Sequence, residues 1–406
     1  MGRESPATDP RGLPAVLMVV TATMLGVLPV FLLGGLAVQV RDDLNLTEAG
    51  LGIATATFFA ASALFSLPGG RLSERIGGER GLLVGAAGSL AALLGVATLA
   101  QSLLGLVTSM VVGGIGNGVT QPSANLALAR RVRPGRQGVA FGIKQSAIPG
   151  ATLLGGLAVP IVALTVGWRW AYGGGAAVAA LFALWALWAF SRASVSDPSG
   201  PARGARAQRG DVRALLPLTI AGGLASAAAN SMAAFLVVGG VTAGMAPGAA
   251  GLLFAAGSGS SIAVRVTLGW LADRRPGDAL GVVGGLLLLG GVGFAVLATG
   301  VVPWLYVAGA LLGFGAGWAW PGLFNLAVVR AHPEAPAAAT GLTQTGVYAG
   351  GVLGPPVFGV IAQSMSYGAA WLAGAGALVI AAALVIAGGR SRRTHWAARG
   401  AEGGAA

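Results

Sequence analysis

Gly70-Arg71-Leu72-Ser73-Glu74-Arg75-Ile76-Gly77-Gly78-Glu79-Arg80 closes one long apolar stretch, and Gly269-Trp270-Leu271-Ala272-Asp273-Arg274-Arg275 closes another about 200 residues later. A glycine, acid and arginine turn that recurs between membrane-length runs marks a duplication. The chain reads as two copies of one helical bundle, an arrangement on which many transporters are built.

Composition supports the same reading. Hydrophobic residues make up 55% of the 406 positions, charged residues 9%, and the mean hydropathy is +0.78. A soluble domain of this size has too few polar groups here to cover its surface. Apolar runs long enough to cross a bilayer, which takes roughly 20 residues each, fall near 14–38, 49–69, 81–100, 103–128, 137–163 and 170–190. Six more lie near 214–242, 249–271, 279–300, 303–328, 337–363 and 368–389. The predicted fold is an all-α membrane protein with twelve transmembrane helices in two six-helix bundles.

The predicted boundaries are a tail over 1–13, a first bundle over 14–191, a linker over 192–213, a second bundle over 214–389 and a tail over 390–406. The linker is rich in Arg, Pro, Ser and Gly, as in Asp197-Pro-Ser-Gly-Pro-Ala-Arg-Gly-Ala-Arg206, the composition of a flexible connector. The halves match internally as well. Asn125-Leu-Ala-Leu-Ala-Arg130 answers Asn325-Leu-Ala-Val-Val-Arg330, and Gly142-Ile-Lys144-Gln145 answers Gly341-Leu-Thr343-Gln344.

The charge is basic, with 25 Lys and Arg against 13 Asp and Glu, but its placement argues against nucleic acid. Arg41 and Arg169 lie on one side of the predicted bundle, and Lys144 and Arg265 lie inside spans. The others cluster in the tails and in the loops of the opposite side. That asymmetry is the positive-inside signature, so the expected location is the inner (cytoplasmic) membrane with both termini cytoplasmic. No cleavable signal peptide is expected, because the first thirteen residues are polar and the apolar run after them is too long. Cysteine is absent, which excludes disulfide and thiol chemistry. The two histidines, His332 and His395, lie outside the spans, and no zinc or phosphate-loop spacing occurs. No catalytic residue, metal site or bound cofactor is expected, and an enzyme is not the reading. Asn45-Leu46-Thr47 matches a glycosylation acceptor, and it equally reads as a helix start with Asn45 as cap and Glu48 at the third position.

With these motifs in view, the chain over 14–389 resembles the major facilitator superfamily. The turn after the second span is similar to that family's signature, Gly-x-Leu-x-Asp-Arg-x-Gly, with Glu74 in place of the usual Asp. The resemblance implies two bundles rocking about a central cavity in alternating access. It also implies a cytoplasmic gate formed by Gly70, Glu74 and Arg75 with Gly269, Asp273 and Arg274. An alternative reading makes these charges helix caps that fix topology. The glycine clusters Gly113–Gly118 and Gly313–Gly317 follow no strand, so they are read as helix packing surfaces, not nucleotide loops.

Two cations inside the spans carry the functional reading. A charge deep in a bilayer costs roughly 2.5–3.5 kcal/mol on the most lenient scale, so it needs a reason. Lys144 follows Arg136 by eight residues, and Arg265 precedes Asp273 by eight. At 1.5 Å per residue each would lie about 12 Å from the membrane boundary. No acid lies within a span to neutralise them, so an anion is the expected partner. The predicted substrate is a small organic anion, a carboxylate, bridged between Lys144 and Arg265, with a proton or an exchanged anion as coupling species. Arg265 also resembles the eighth-span arginine of monocarboxylate porters, which carry an acid one turn earlier where this chain has Ser261. Two alternatives stay open: Lys144 snorkelling to the headgroups, and Arg265 bonding backbone carbonyls or the gate acids. Gln145, Asn117, Gln121, Asn125, Asn230, Asn325, Gln344 and Tyr348 are candidate pocket residues, with Trp318 and Trp320 as walls.

Two rivals accompany this reading. One is proton-coupled efflux of drugs or lipophilic compounds, which would want an acid within a span. The other is a non-transporting sensor or scaffold, which would want a larger soluble part. The expected partners are a small anionic molecule and the lipid bilayer, with a single chain sufficient for function.

Overall fold

A computed structural model describes residues 12–131, 137–192, 209–274, 278–300, 302–331 and 336–403. Most of the predicted N-terminal tail, most of the predicted linker, Arg136, Arg275 and His332 fall outside them, as do the side chains of Asp273, Arg274 and His395. Among the described residues the regular structure is helical throughout.

In a bilayer the backbone must satisfy its own hydrogen bonds, and the apolar runs accordingly form helices. They are α1 (Gly12–Gly35), α2 (Ala37–Leu44), α3 (Glu48–Ile76), α4 (Gly78–Thr98), α5 (Leu103–Arg131), α6 (Gln137–Ala158) and α7 (Trp168–Arg192). Then follow α8 (Arg209–Thr242), α9 (Pro247–Arg274), α10 (Ala279–Thr299), α11 (Pro303–Gly315), α12 (Pro321–Ala331), α13 (Pro336–Ser364) and α14 (Tyr367–Gly403). Eleven are long and apolar enough to cross a membrane. Large apolar side chains such as Leu64, Leu67, Leu184 and Trp188 stand exposed along them, a surface that suits lipid and not water.

The difference from the predicted twelve continuous spans lies in the tenth. The stretch predicted over 303–328 is broken: α11 stops at Gly315 and α12 starts at Pro321. Pro321 has no N–H to continue a ladder and disfavours the helical conformation in the residue before it. A second irregularity follows α6, which widens into a π turn over Val159–Ala163 around Pro160.

The start of α3 also differs from its predicted cap. Asn45 adopts a left-handed conformation (φ 50°) that closes α2. Thr47 caps α3 instead, its Oγ1 accepting the Gly50 N–H at 3.1 Å. At the other end, Gly77 has φ +90° and opens α4, so the signature turn requires glycine there.

The chain divides into two compact units, Met1–Asn45 with Thr57–Pro201, and Leu46–Ala56 with Ala202–Ala406. In the first, α4 packs on α5 through small residues. Gly88 faces Gly116, and Gly78 faces Ser123 and Ala127, with Cβ positions only 2.7–2.9 Å from the opposing backbone. In the second, α10 meets the end of α11 in the equivalent way, Gly293 against Gly309 and Gly313, and Gly290 against Gly317. The closest seam joins α8 to α13: Gly346 lies on the Thr219 carbonyl, Gly350 on the Gly223 carbonyl and Gly354 on Ala227. Residues four apart on each helix supply this contact, the spacing that brings membrane helices backbone to backbone. The first turns of α3 group with the second unit, where Gly359 abuts the Glu48 carbonyl and the Ala49 N–H reaches Gln363 Oε1 at 3.3 Å.

Candidate functional site

The first unit places its one lysine in a ladder of amides. On α5, Asn117, Gln121 and Asn125 recur every four residues and so share a helix face. Lys144, on α6, is 3% exposed. Its Nζ donates to Gln121 Oε1 at 2.9 Å and to Asn125 Oδ1 at 2.8 Å. Gln121 Nε2 in turn donates to Asn117 Oδ1 at 3.2 Å, and Asn117 Nδ2 donates to Ser62 Oγ at 3.1 Å. The Ser62 hydroxyl completes the chain on the Gly114 carbonyl at 3.1 Å. Three elements, α3, α5 and α6, are thereby tied through one continuous polar path.

The acceptors around Lys144 are neutral. Among the described residues no carboxylate pairs with it. Amide oxygens solvate an ammonium, but they do not neutralise it, and a buried charge without a counter-charge is costly. Breaking the ladder also has a price. Replacing Asn117 with Leu takes the acceptor from Gln121 Nε2 and the donor from Ser62 Oγ, which keeps its bond to the Gly114 carbonyl, at about 1–3 kcal/mol. A lower melting temperature of the purified Asn117→Leu protein is the expected result.

The second unit holds Arg265 against the broken tenth span. Its Nη2 donates to the Trp318 carbonyl, and its guanidinium stands 5.8 Å from the centroid of the Trp318 ring. The break explains this contact, since a carbonyl outside a regular ladder needs a donor from elsewhere. The Nη2 group of Arg265 therefore serves the backbone. Trp318 packs edge-on against Phe314 at 5.1 Å, and Trp320 does the same with Phe324 at 5.3 Å. Trp320 is 2% exposed, and its indole N–H meets no acceptor among the described residues. The same holds for the Ser261 hydroxyl, one turn before Arg265 on α9.

The other predicted pocket residues are more scattered. Gln145 is half-buried on α6 beside Lys144, and Tyr348 and Gln344 are half-buried on α13. Asn325 is half-buried on α12, and neither it nor Gln344 makes a hydrogen bond among the described residues. Asn230 is engaged in packing: its Nδ2 donates to the Ser226 carbonyl at 2.9 Å, while the Ser226 hydroxyl reaches across to the Val347 carbonyl at 2.7 Å. Of the predicted gate, Glu74 and Arg75 are exposed on the last turn of α3, and Gly70 lies 3.7 Å (by its would-be Cβ) from Pro122. Gly269 has open space around it. The residue that sequence reasoning missed is Ser62, a lone serine in an apolar helix that carries no signal of its own. A separate cavity of about 480 Å³, lined by Glu48, Tyr306, Tyr367 and Trp371 among others, contains none of the predicted site residues.

Duplicated helical units of membrane-crossing length, each with a cation held inside its spans, define a polytopic membrane protein. The sequence matches the family model described as Major Facilitator Superfamily over residues 19–355 and 244–406, and the chain belongs to that family. A bacterial homologue of the human lysosomal transporter Spinster, solved inward-facing and occupied, shares the fold. Its TM-score is 0.71 at 17% identity, over 95% of this chain and 98% of that one. Among curated proteins, the chain is 29% identical over 309 residues to a chloramphenicol resistance protein of Streptomyces lividans, covering 74% of this chain and 77% of the relative. It is 30% identical over 131 residues to a probable chloroplastic anion transporter of Arabidopsis thaliana, covering 32% of this chain and 26% of that relative.

Proposed function

We propose that this transporter carries a small organic carboxylate across the cytoplasmic membrane by alternating access, with both termini cytoplasmic and a single chain sufficient. Lys144 in the first unit and Arg265 in the second are its anchors, and a proton or a second anion is its coupling partner. The observation that carries this reading is Lys144 itself, buried at 3% exposure with the amide oxygens of Gln121 and Asn125 as its acceptors. An anionic substrate supplies the missing counter-charge. Arginine adds a planar fork that grips a carboxylate through two parallel hydrogen bonds. The pairing of the two cations about one substrate rests on their equal depth in the sequence. Glu74 and Arg75, with Asp273 and Arg274, are assigned to the gate on the strength of the duplicated motif.

A second reading, export of a neutral or lipophilic drug, is favoured by one observation. The match to the chloramphenicol resistance protein covers more of this chain than the match to the anion transporter does. The two readings part in a thermal-shift experiment on the detergent-purified protein. A ligand that binds the folded state at a hundred times its Kd stabilises it by about 2.7 kcal/mol. Carboxylates are expected to raise the melting temperature of the wild type and to leave Lys144→Met unmoved. If chloramphenicol shifts both proteins equally and carboxylates shift neither, the drug-export reading replaces this one.

A further inference from the structure

The amide ladder that ends on Lys144 has a direction. A backbone carbonyl only accepts and an ammonium only donates, and the ladder runs from one to the other. At its far end the Ser62 hydroxyl gives its single hydrogen to the Gly114 carbonyl, so toward Asn117 it can only accept. The NH2 of Asn117 therefore faces Ser62, which turns its Oδ1 to Gln121. Gln121 meets that oxygen with its own NH2 and presents its Oε1 to Lys144. Both ends demand the same order, and no amide along the way can turn over alone. Close packing holds the far end, since the would-be Cβ of Gly118 on α5 lies 2.9 Å from the Ser62 carbonyl on α3.

The consequence falls on Lys144. Gln121 and Asn125 give its Nζ two oxygens and no counter-charge. Its third N–H meets no acceptor among the described residues. An ionisable residue that keeps its charge within a span is a functional group by default. Asn125 is exposed and Gln121 half-buried, so a molecule that reaches Asn125 arrives beside the ammonium. Glutamate has nearly the shape of glutamine, and aspartate that of asparagine. Either acid at these positions would neutralise the lysine from within the protein, yet the chain carries an amide at both.

We propose that Gln121 and Asn125 set the charge class that the Lys144 site accepts: as neutral amides they leave the lysine cationic toward a ligand, and a carboxylate at either position closes the site to anions. The inference deepens the carboxylate reading above and rests on it. Gln121 is the stricter of the two, because the ladder from Ser62 commits its oxygen to the lysine. Asn125 makes no other hydrogen bond among the described residues. With Glu at 121 the ladder can follow as a whole. Asn117 would turn its NH2 to the new carboxylate, and the Ser62 hydroxyl would leave Gly114 for the Asn117 oxygen. An incoming anion would then meet a neutral pair with a like charge beside it, which disfavours binding.

Three variants of the purified full chain test this: Gln121→Glu, Asn125→Asp and the uncharged control Asn125→Ala. Each is compared with the wild type by thermal shift, first alone and then in titrations with acetate, pyruvate and succinate. Alone, Gln121→Glu is expected to melt no lower than the wild type, because a buried ammonium gains the counter-charge it lacks. In the titrations, Gln121→Glu and Asn125→Asp are expected to bind the acids at least about tenfold more weakly than the wild type. Asn125→Ala should stay closer to the wild type than Asn125→Asp does. If Gln121→Glu does not fold, the two variants of the exposed Asn125 make the same test. Wild-type binding by both acidic variants overturns the inference and leaves the carboxylate reading standing. Equal loss of binding in Asn125→Ala and Asn125→Asp overturns it too, since shape and not charge would then decide. If none of the three acids shifts the wild type, the carboxylate reading itself fails, and this inference with it.

Discussion

Replacing Arg265 with alanine is expected to reduce carboxylate uptake into proteoliposomes by roughly thirtyfold or more. Removing one member of a desolvated charge pair typically costs about 2–5 kcal/mol, and each 1.36 kcal/mol is a factor of ten. A second effect accompanies the first. The Trp318 carbonyl loses the Nη2 donor that holds it in the broken tenth span. The two contributions separate in Arg265→Lys, which keeps the charge but loses the planar fork. That variant should behave as a monodisperse folded protein in gel filtration and recover part of the uptake. Uptake by Arg265→Ala at the wild-type rate would remove this residue from the substrate site.

The second large effect concerns stability. Gly350→Ala adds one methyl group where the Gly223 carbonyl already lies, and Gly346→Ala adds one against the Thr219 carbonyl. Neither obstacle is a flexible side chain, so the helix axes themselves must part. Overpacking of this sort costs about 1–3 kcal/mol at each site, and a melting temperature lowered in both variants is the expected reading. Gly376→Ala on α14 is the control, because nothing lies within 4 Å of its Cβ position. There the higher helix propensity of alanine, worth up to about 1 kcal/mol, should leave the protein as stable or more so. Opposite signs from the same substitution would identify packing, not glycine content, as the cause.

Most of the helices were legible because a bilayer imposes length and apolarity on every span, and both are visible in the chain. The tenth span shows where that rule stops. Gly313 to Trp320 is as apolar as any helix around it, and hydropathy passes over the break without a mark. The signal lay in chemistry instead, in Pro321 and the glycines before it. The surroundings of Lys144 were partly readable: Asn117, Gln121 and Asn125 repeat at helical spacing one span before the lysine, and all three lie on its hydrogen-bond path. Ser62 was not, since serines in membrane helices usually bond the carbonyl one turn back, as Ser89 and Ser258 do. Arg265 had two sequence readings, and its bond to a carbonyl depends on a break that the sequence pattern did not announce.

The seam between α8 and α13 has a mechanical consequence. Where backbone rests on backbone, no side chain is left to swing aside and let one helix slide along the other. The pair is a splint. The tenth span, a few residues without a regular ladder, is the compliant joint of the same unit, and Arg265 is the pin through it. Bending of that unit would cost least at the joint, where fewer backbone bonds hold the chain and the arginine supplies one of them.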